Sequence, residues 1–204
     1  MCYILPDMTT GESPPMAGTA TKLMTVEEFF VWQQGQEDRY ELVEGVPLKL
    51  MTGASEVHDV IVTNIIIALG NQLRGKPCRP ATADLAVRTK IKSLRRADIL
   101  VTCDNDPPRH DSYAARNPRL VVEVLSPSNK GASWQRKLEE YRRMAGLTYI
   151  LLVDSEAEQV VFLSRSGEQW THDDFDGRDA VIPLPEIECN LAMADVYDGV
   201  TIEG

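Results

Sequence analysis

Several absences narrow the field before any motif is read. No apolar run of this 204-residue chain approaches the ~18 residues a membrane-crossing helix needs. The N-terminal stretch MCYILPDMTTGESPPMAG has neither the basic start nor the long apolar core of a signal peptide, so a cytoplasmic protein with no membrane contact is expected. Cysteine is scarce: Cys2, Cys78, Cys103 and Cys189 lie far apart and form no CxxC. That argues against a zinc site or a disulfide framework and for buried thiols. His58, His110 and His172 are scattered, which argues against a histidine-rich metal site. Neither GxGxxG nor GxxxxGK[ST] occurs, so dinucleotide and P-loop readings lose their main support. No internal repeat is visible.

What is present is enough apolar material for a core, at 43% of residues, and an uneven charge. The net charge is -10, yet residues 154–204 hold 13 acidic and 2 basic side chains, which leaves the rest nearly neutral. Within that rest, bases cluster at Arg88, Lys90, Lys92, Arg95 and Arg96, and again at Lys130, Arg136, Lys137, Arg142 and Arg143. Two readings stand open: solvated faces, or a local phosphate-binding surface on an acidic protein.

Residues 1–21, rich in Thr, Gly, Pro and Ser, read as a disordered leader to a single domain over 22–204. Thr25 caps a short helix, and RYELVEGVPLKLMT reads as a hairpin about Glu44-Gly45. Ile61, Ile65, Leu69 and Leu73 fall at helical spacing, predicting a helix from His58 that ends near Gly75. CRPATADLAVRTK, RADILVTC, RLVVEVLS and TYILLVD each read as a strand. Ser133 is placed to cap the helix WQRKLEEYRRMA, and a late hairpin turns at Ser166-Gly167. The order predicts an α/β or α+β fold with helices on a mixed sheet.

The stretch LVVEVLSPSN, residues 120–129, raises the functional question. Glu123 interrupts a buried strand, and an unpaired carboxylate there is costly. Asp98 opens a second strand, DILV. If the two strands pair, their carboxylates converge at one sheet edge. Two hard oxygen donors with waters suit Mg2+ or Mn2+, and such an ion activates water and stabilises charge on a phosphodiester. Plainer alternatives stand beside this: Asp98 as a strand-end turn acid, and Glu123 as neutral or paired with Arg96. Lys137 alone reads equally as a solvated helix residue.

Asp98, a short gap and Glu123 in a strand resemble the PD-(D/E)xK nuclease superfamily. YELVEG, a His opening a helix, ADILVT, LVVEVLSPSN, KLEEYRRMAG and YILLVD narrow this to a resemblance to the Uma-type restriction endonuclease family of bacteria, from Met24 to Tyr197. The resemblance implies a restriction-endonuclease-like mixed β-sheet flanked by helices. It also implies a metal-dependent phosphodiesterase acting on nucleic acid, DNA first, and a homodimer. Two departures matter. Ala97 stands where the superfamily has Pro, and Leu125 where it has Lys. In this family the lysine moves to the following helix, which is Lys137, with Tyr141 one turn on to orient it. The implied set is Asp98 and Glu123 as metal ligands and Lys137 as their partner. Glu41 is favoured over Glu44 as the extra acid, and His58 either orients water or caps its helix. Arg88, Lys90, Lys92, Arg95, Arg96, Lys130 and Arg136 would contact phosphates. Rival functions are a non-catalytic binding module and a structural homodimer joined through the late hairpin and C-terminal apolar residues. An acidic C-terminal segment that covers the basic surface is a further reading.

Overall fold

Side-chain caps start the first two helices. Thr25 and Glu28 form a reciprocal capping box at the head of α1 (Val26–Gln33). Ser55 accepts the His58 N–H at the head of α2 (Glu56–Leu73). His58 is therefore the third residue of α2 and not its cap. Ile61, Ile65, Leu69 and Leu73 are all buried, as their spacing requires. The computed structural model describes residues 23–50, 53–104, 106–126 and 132–202, without the side chains of residues 132 and 133. The leader over 1–21, Cys2 and Lys130 lie outside the described residues.

β1 (Tyr40–Val43) and β2 (Val46–Lys49) make the expected hairpin, with Glu44 and Gly45 at φ 52° and 87°. A Cβ on Gly45 would also stand 2.8 Å from that of Leu23. The segment read as one strand over 78–90 is two. β3 (Cys78–Thr82) and β4 (Ala86–Lys90) are separated by a corner at 83–85 and belong to different sheets. β5 (Ser93–Arg95), unforeseen from the sequence, precedes β6 (Ile99–Cys103), β7 (Ala114–Ala115) and β8 (Pro118–Leu125). α3 (Ala132–Arg142) follows, and Ser133 falls inside it, so it is not the cap. β9 (Tyr149–Asp154), β10 (Gln159–Ser166) and β11 (Gln169–Asp176) complete the larger sheet. The tail, despite Pro183 and Pro185, forms a small hairpin, β12 (Val181–Leu184) and β13 (Cys189–Ala192), before α4 (Met193–Val196).

The fold is α+β, with helices on mixed sheets. One sheet runs β2-β1-β5-β4-β7 and the other β11-β10-β9-β8-β6-β3, where β8 and β9 are parallel and most neighbours antiparallel. α2 covers one face of the larger sheet. Its stripe packs with Ile99, Val101, Leu120, Val122, Val124, Leu151 and the C-terminal Ile182, Leu184, Leu191, Met193 and Val196. Those C-terminal side chains are spent on this core, so they do not supply the dimer interface assigned to them. The opposite face of the sheet buries Val121, Leu100 and Ala97 with Leu147 and with Tyr141 of α3. The smaller sheet packs Leu42, Ala86 and Leu94 on Val26 and Phe29 of α1.

The cysteine expectation needs correcting. Cys78 and Cys103 face each other in the β3–β6 register and form a disulfide. Their distance in sequence is cancelled by strand pairing. Cys189 is a buried free thiol. No described helix is long and apolar enough to cross a membrane.

Candidate active site

Three residues join the two sheets: Arg96, Ala97 and Asp98 run from the end of β5 to the start of β6. Ala97, at the position where proline was expected, is fully buried, while Arg96 and Asp98 on either side are partly exposed. Asp98 continues the β6–β8 ladder with its side chain. The ladder ends at Ile99 opposite Val122, and the Val124 N–H then donates to Asp98 Oδ2 at 2.8 Å. This pins Asp98 beside Glu123. His58 Nε2 stands 3.4 Å from the same oxygen. Asp98 Oδ1 has no partner among the described residues. The hydrogen bond to Asp98 raises the His58 imidazole above its ordinary value, against the opposing effect of burial.

Glu123 lies on an interior strand, between β6 and β9, and is 6% exposed. It is not at an open edge. By strand alternation it shares a face with Val121 and points under α3. Its partner is not Arg96, whose guanidinium is taken by the carbonyls of Tyr40, Ala83 and Asp84. Instead Lys137 Nζ lies 2.8 Å from Glu123 Oε1 and 3.0 Å from Oε2, and the Tyr141 hydroxyl donates to Oε1 at 2.8 Å. Tyr141 thus holds Glu123 by its hydroxyl, and its ring also lies under the Lys137 ammonium, 6.0 Å from the centroid. Lys137 and Tyr141 are four apart on one helix face, which lets both reach the same carboxylate. Burial pushes the Glu123 carboxyl up to about 7; Lys137 and Tyr141 pull it down, and the Asp98 charge adds to the rise. Burial acts to lower the Lys137 ammonium, but Glu123 and Glu41 more than offset it, so it holds its proton more tightly than a free lysine. Burial also lifts the Tyr141 hydroxyl well above its usual value.

Lys137 makes two further contacts. It donates to the Arg96 carbonyl at 2.9 Å and approaches Glu41 Oε1 at 3.3 Å. Glu41, on β1, also accepts the Arg96 N–H at 2.8 Å and Arg95 Nη1 at 2.9 Å. Glu44 is the turn residue of the hairpin, with Lys90 at 3.2 Å. Glu140 was missed. It is 1% exposed, accepts a bidentate bond from Arg95, and takes the Thr89 hydroxyl at 2.8 Å. Its signal was its place between Lys137 and Tyr141 on the same helix face, hidden in a helix that reads as solvated.

The basic set divides. Arg95 is buried between Glu41 and Glu140, and Arg96 holds the corner at Ala83 and Asp84 where the chain changes sheets. Arg95 has no exposed guanidinium for a phosphate, and Arg96 spends its own on carbonyls, so both leave that set. Arg88 is exposed and pairs with Glu27, and Lys90 pairs with Glu44 and lies 3.6 Å from Glu140. Lys92 and Arg136 are exposed. Two carboxylates, one just before β6 and one on the adjacent β8, with an ammonium on one of them, can bind a hard cation beside a phosphate.

The chain matches, over residues 26–194, the model of a family described as "Uma2: Putative restriction endonuclease". It is 27% identical over 179 residues to the uncharacterized protein slr1290 of Synechocystis sp., covering 87% of this chain and 93% of that one. It is 25% identical over 170 residues to the uncharacterized protein sll1609 of the same organism, covering 82% and 96%. Its fold resembles the crystal structure of a putative nuclease belonging to DUF820 from Anabaena variabilis, with a TM-score of 0.67 at 20% identity, covering 85% of this chain and 97% of that one.

Proposed function

We propose, from the premise that this chain belongs to the Uma2 putative restriction endonuclease family, that it is a divalent-metal-dependent endonuclease hydrolysing DNA phosphodiester bonds. The observation that supports this most is the Lys137 ammonium, 2.8 and 3.0 Å from the two oxygens of Glu123, with Asp98 pinned to the same strand. It supplies from α3 the lysine that Leu125 withholds.

The donor set fits a hard cation. Among the described residues no group of three or more His, Cys, Asp or Glu side chains is placed to hold a metal. Two carboxylates completed by waters and substrate oxygens suit Mg2+ or Mn2+, which keep several waters. Glu123 accepts from Lys137 and Tyr141 within its roughly four acceptor sites, and Asp98 keeps Oδ1 open among the described residues. Asp98 and Glu123 would hold the ion, which when bound supplies charge stabilisation and an activated water.

The chain's own groups do the rest. Lys137, between Glu123 and Glu41, keeps its proton. Its part is to hold the attacking water by a hydrogen bond and to stabilise negative charge growing on the phosphate, not to take a proton. Tyr141 fixes the Glu123 carboxylate, and His58 steadies Asp98. Arg88, Lys90, Lys92 and Arg136 would bind backbone phosphates; surface pairs such as Arg88–Glu27 are weak and open easily. A cytoplasmic setting and a homodimer belong to the same proposal, and light scattering tests the second.

The test is cleavage of double-stranded DNA, single-stranded DNA and RNA with Mn2+ by the wild type, Asp98→Ala and Glu123→Ala. The expected result is cleavage of DNA by the wild type alone. Equal cleavage by all three would remove these residues from the site. Binding without cleavage by the wild type would make the chain a nucleic-acid-binding module.

A further inference from the structure

Arg95 and Glu140 form a buried ion pair. They are 4% and 1% exposed, and they continue a line of alternating charge that starts at Glu123: Lys137, Glu41, Arg95, Glu140. The line closes on itself, because Lys137 and Glu140 are three residues apart on α3. Glu41 and Arg95 are on the paired strands β1 and β5. Every corner of the ring is filled. Arg95 spends Nε and Nη2 on the two oxygens of Glu140, at 2.8 and 3.0 Å, and Nη1 on Glu41 Oε2, at 2.9 Å. That leaves Glu41 Oε1 turned to the Arg96 N–H and to Lys137.

Burying such a cluster is costly, and apolar residues of similar volume would often stabilise the fold as well or better. A geometric role accounts for it. An ammonium has three donors. Two of those of Lys137 bond Glu123 and the Arg96 carbonyl, and Glu41 faces the ammonium as an ion-pair partner at 3.3 Å. Arg95 orients Glu41 directly, and it is the covalent neighbour of Arg96. The same guanidinium also grips Glu140 and so fixes the position of α3 itself. We propose that Arg95 and Glu140 are positioning residues that hold Lys137 over Glu123, clamping both its helix and two of the three groups that face its ammonium. The role in catalysis rests on the nuclease function proposed above; the placement of Lys137 does not.

The experiment has two readouts on the full chain. The first is the Lys137 Nζ resonance in metal-free protein labelled with 15N-lysine, identified by its loss in Lys137→Met. The second is kcat and KM for Mn2+-dependent DNA cleavage. In the paired variant R95M/E140M, folded by circular dichroism, the slowly exchanging Lys137 signal is expected to disappear. With it kcat should fall roughly 10- to 100-fold while KM stays within about twofold. A folded R95M/E140M that keeps both the signal and kcat overturns the proposal. If that variant does not fold, Glu140→Gln replaces it under the same criteria: loss of the signal supports the clamp, and its retention with wild-type kcat overturns it. If the wild type cuts nothing, the nuclease function fails, and the Lys137 signal alone decides whether the clamp positions it.

Discussion

The two faces of β8 are built on opposite chemistry. On one, Leu120, Val122 and Val124 cluster with the apolar stripe of α2. On the other, Val121 and Glu123 lie under α3, which turns Lys137, Glu140 and Tyr141 inward. Apolar contacts have little direction, and side chains of similar volume exchange there for less than about 1.5 kcal/mol. A buried ion cluster is directional: removing one partner strands the next. One strand therefore serves two purposes. Its α2 face holds the fold, and its α3 face holds charges where water would otherwise screen them.

Substitutions that separate the faces test this. Lys137→Met should have the largest effect, a loss of roughly 10²- to 10³-fold in kcat for DNA cleavage with Mn2+. Ile65→Ala, on the α2 side, should cost about 2–5 kcal/mol by urea denaturation and leave kcat of the folded fraction unchanged. A matching loss of kcat in Ile65→Ala would blur the comparison. Tyr141→Phe deletes one bond to a buried carboxylate. It should cost about 1.5–3 kcal/mol, read from the same denaturation curves.

The pH dependence belongs to the charged groups around Asp98 and Glu123, with His58 of α2 among them. Glu123 is raised from 4.5 to about 7 in the fold, chiefly by burial. The folded state therefore binds its proton more tightly than the unfolded chain. Stability from this group is greatest below pH 4.5 and declines as pH rises to about 7. His58, raised by Asp98, acts in the same direction: its contribution is full below its ordinary value and is lost as pH rises through the folded one. Urea midpoints of metal-free wild type and Glu123→Gln should diverge across that window, with the flatter profile in Glu123→Gln. Parallel profiles would mean that Glu123 is not held in this environment. The smallest effect is expected at Arg88→Ala. An exposed pair there contributes little to stability, and the salt slope of DNA binding should fall by about 1.

The same division explains what could be read from the sequence. Ile61, Ile65, Leu69 and Leu73 announced α2, because a helix that buries an apolar stripe must repeat it. β8 and the Glu44-Gly45 turn were equally plain. The break at Ala83–Leu85 was not, since no Gly or Pro marks it; the corner is held by Arg96, far enough along the chain to look unrelated. The Cys78–Cys103 bridge depends on the register of β3 against β6, which no local pattern encodes. At the site, Asp98, Glu123 and Lys137 were picked out by resemblance and spacing, and the fold brings them into one cluster. Arg95 was misread and Glu140 was missed because charged residues are assumed to face water. Their burial shows only when β5 and α3 are packed together.

The most direct test of the central claim, that α3 supplies the lysine for Asp98, just before β6, and Glu123 of β8, is DNA cleavage by Lys137→Met. Supercoiled plasmid should be incubated with Mn2+ and equal folded amounts of wild type and variant. The wild type is expected to nick and linearise the plasmid while Lys137→Met leaves it supercoiled over the same time. Equal cutting by the two proteins, or none by either, would contradict the account.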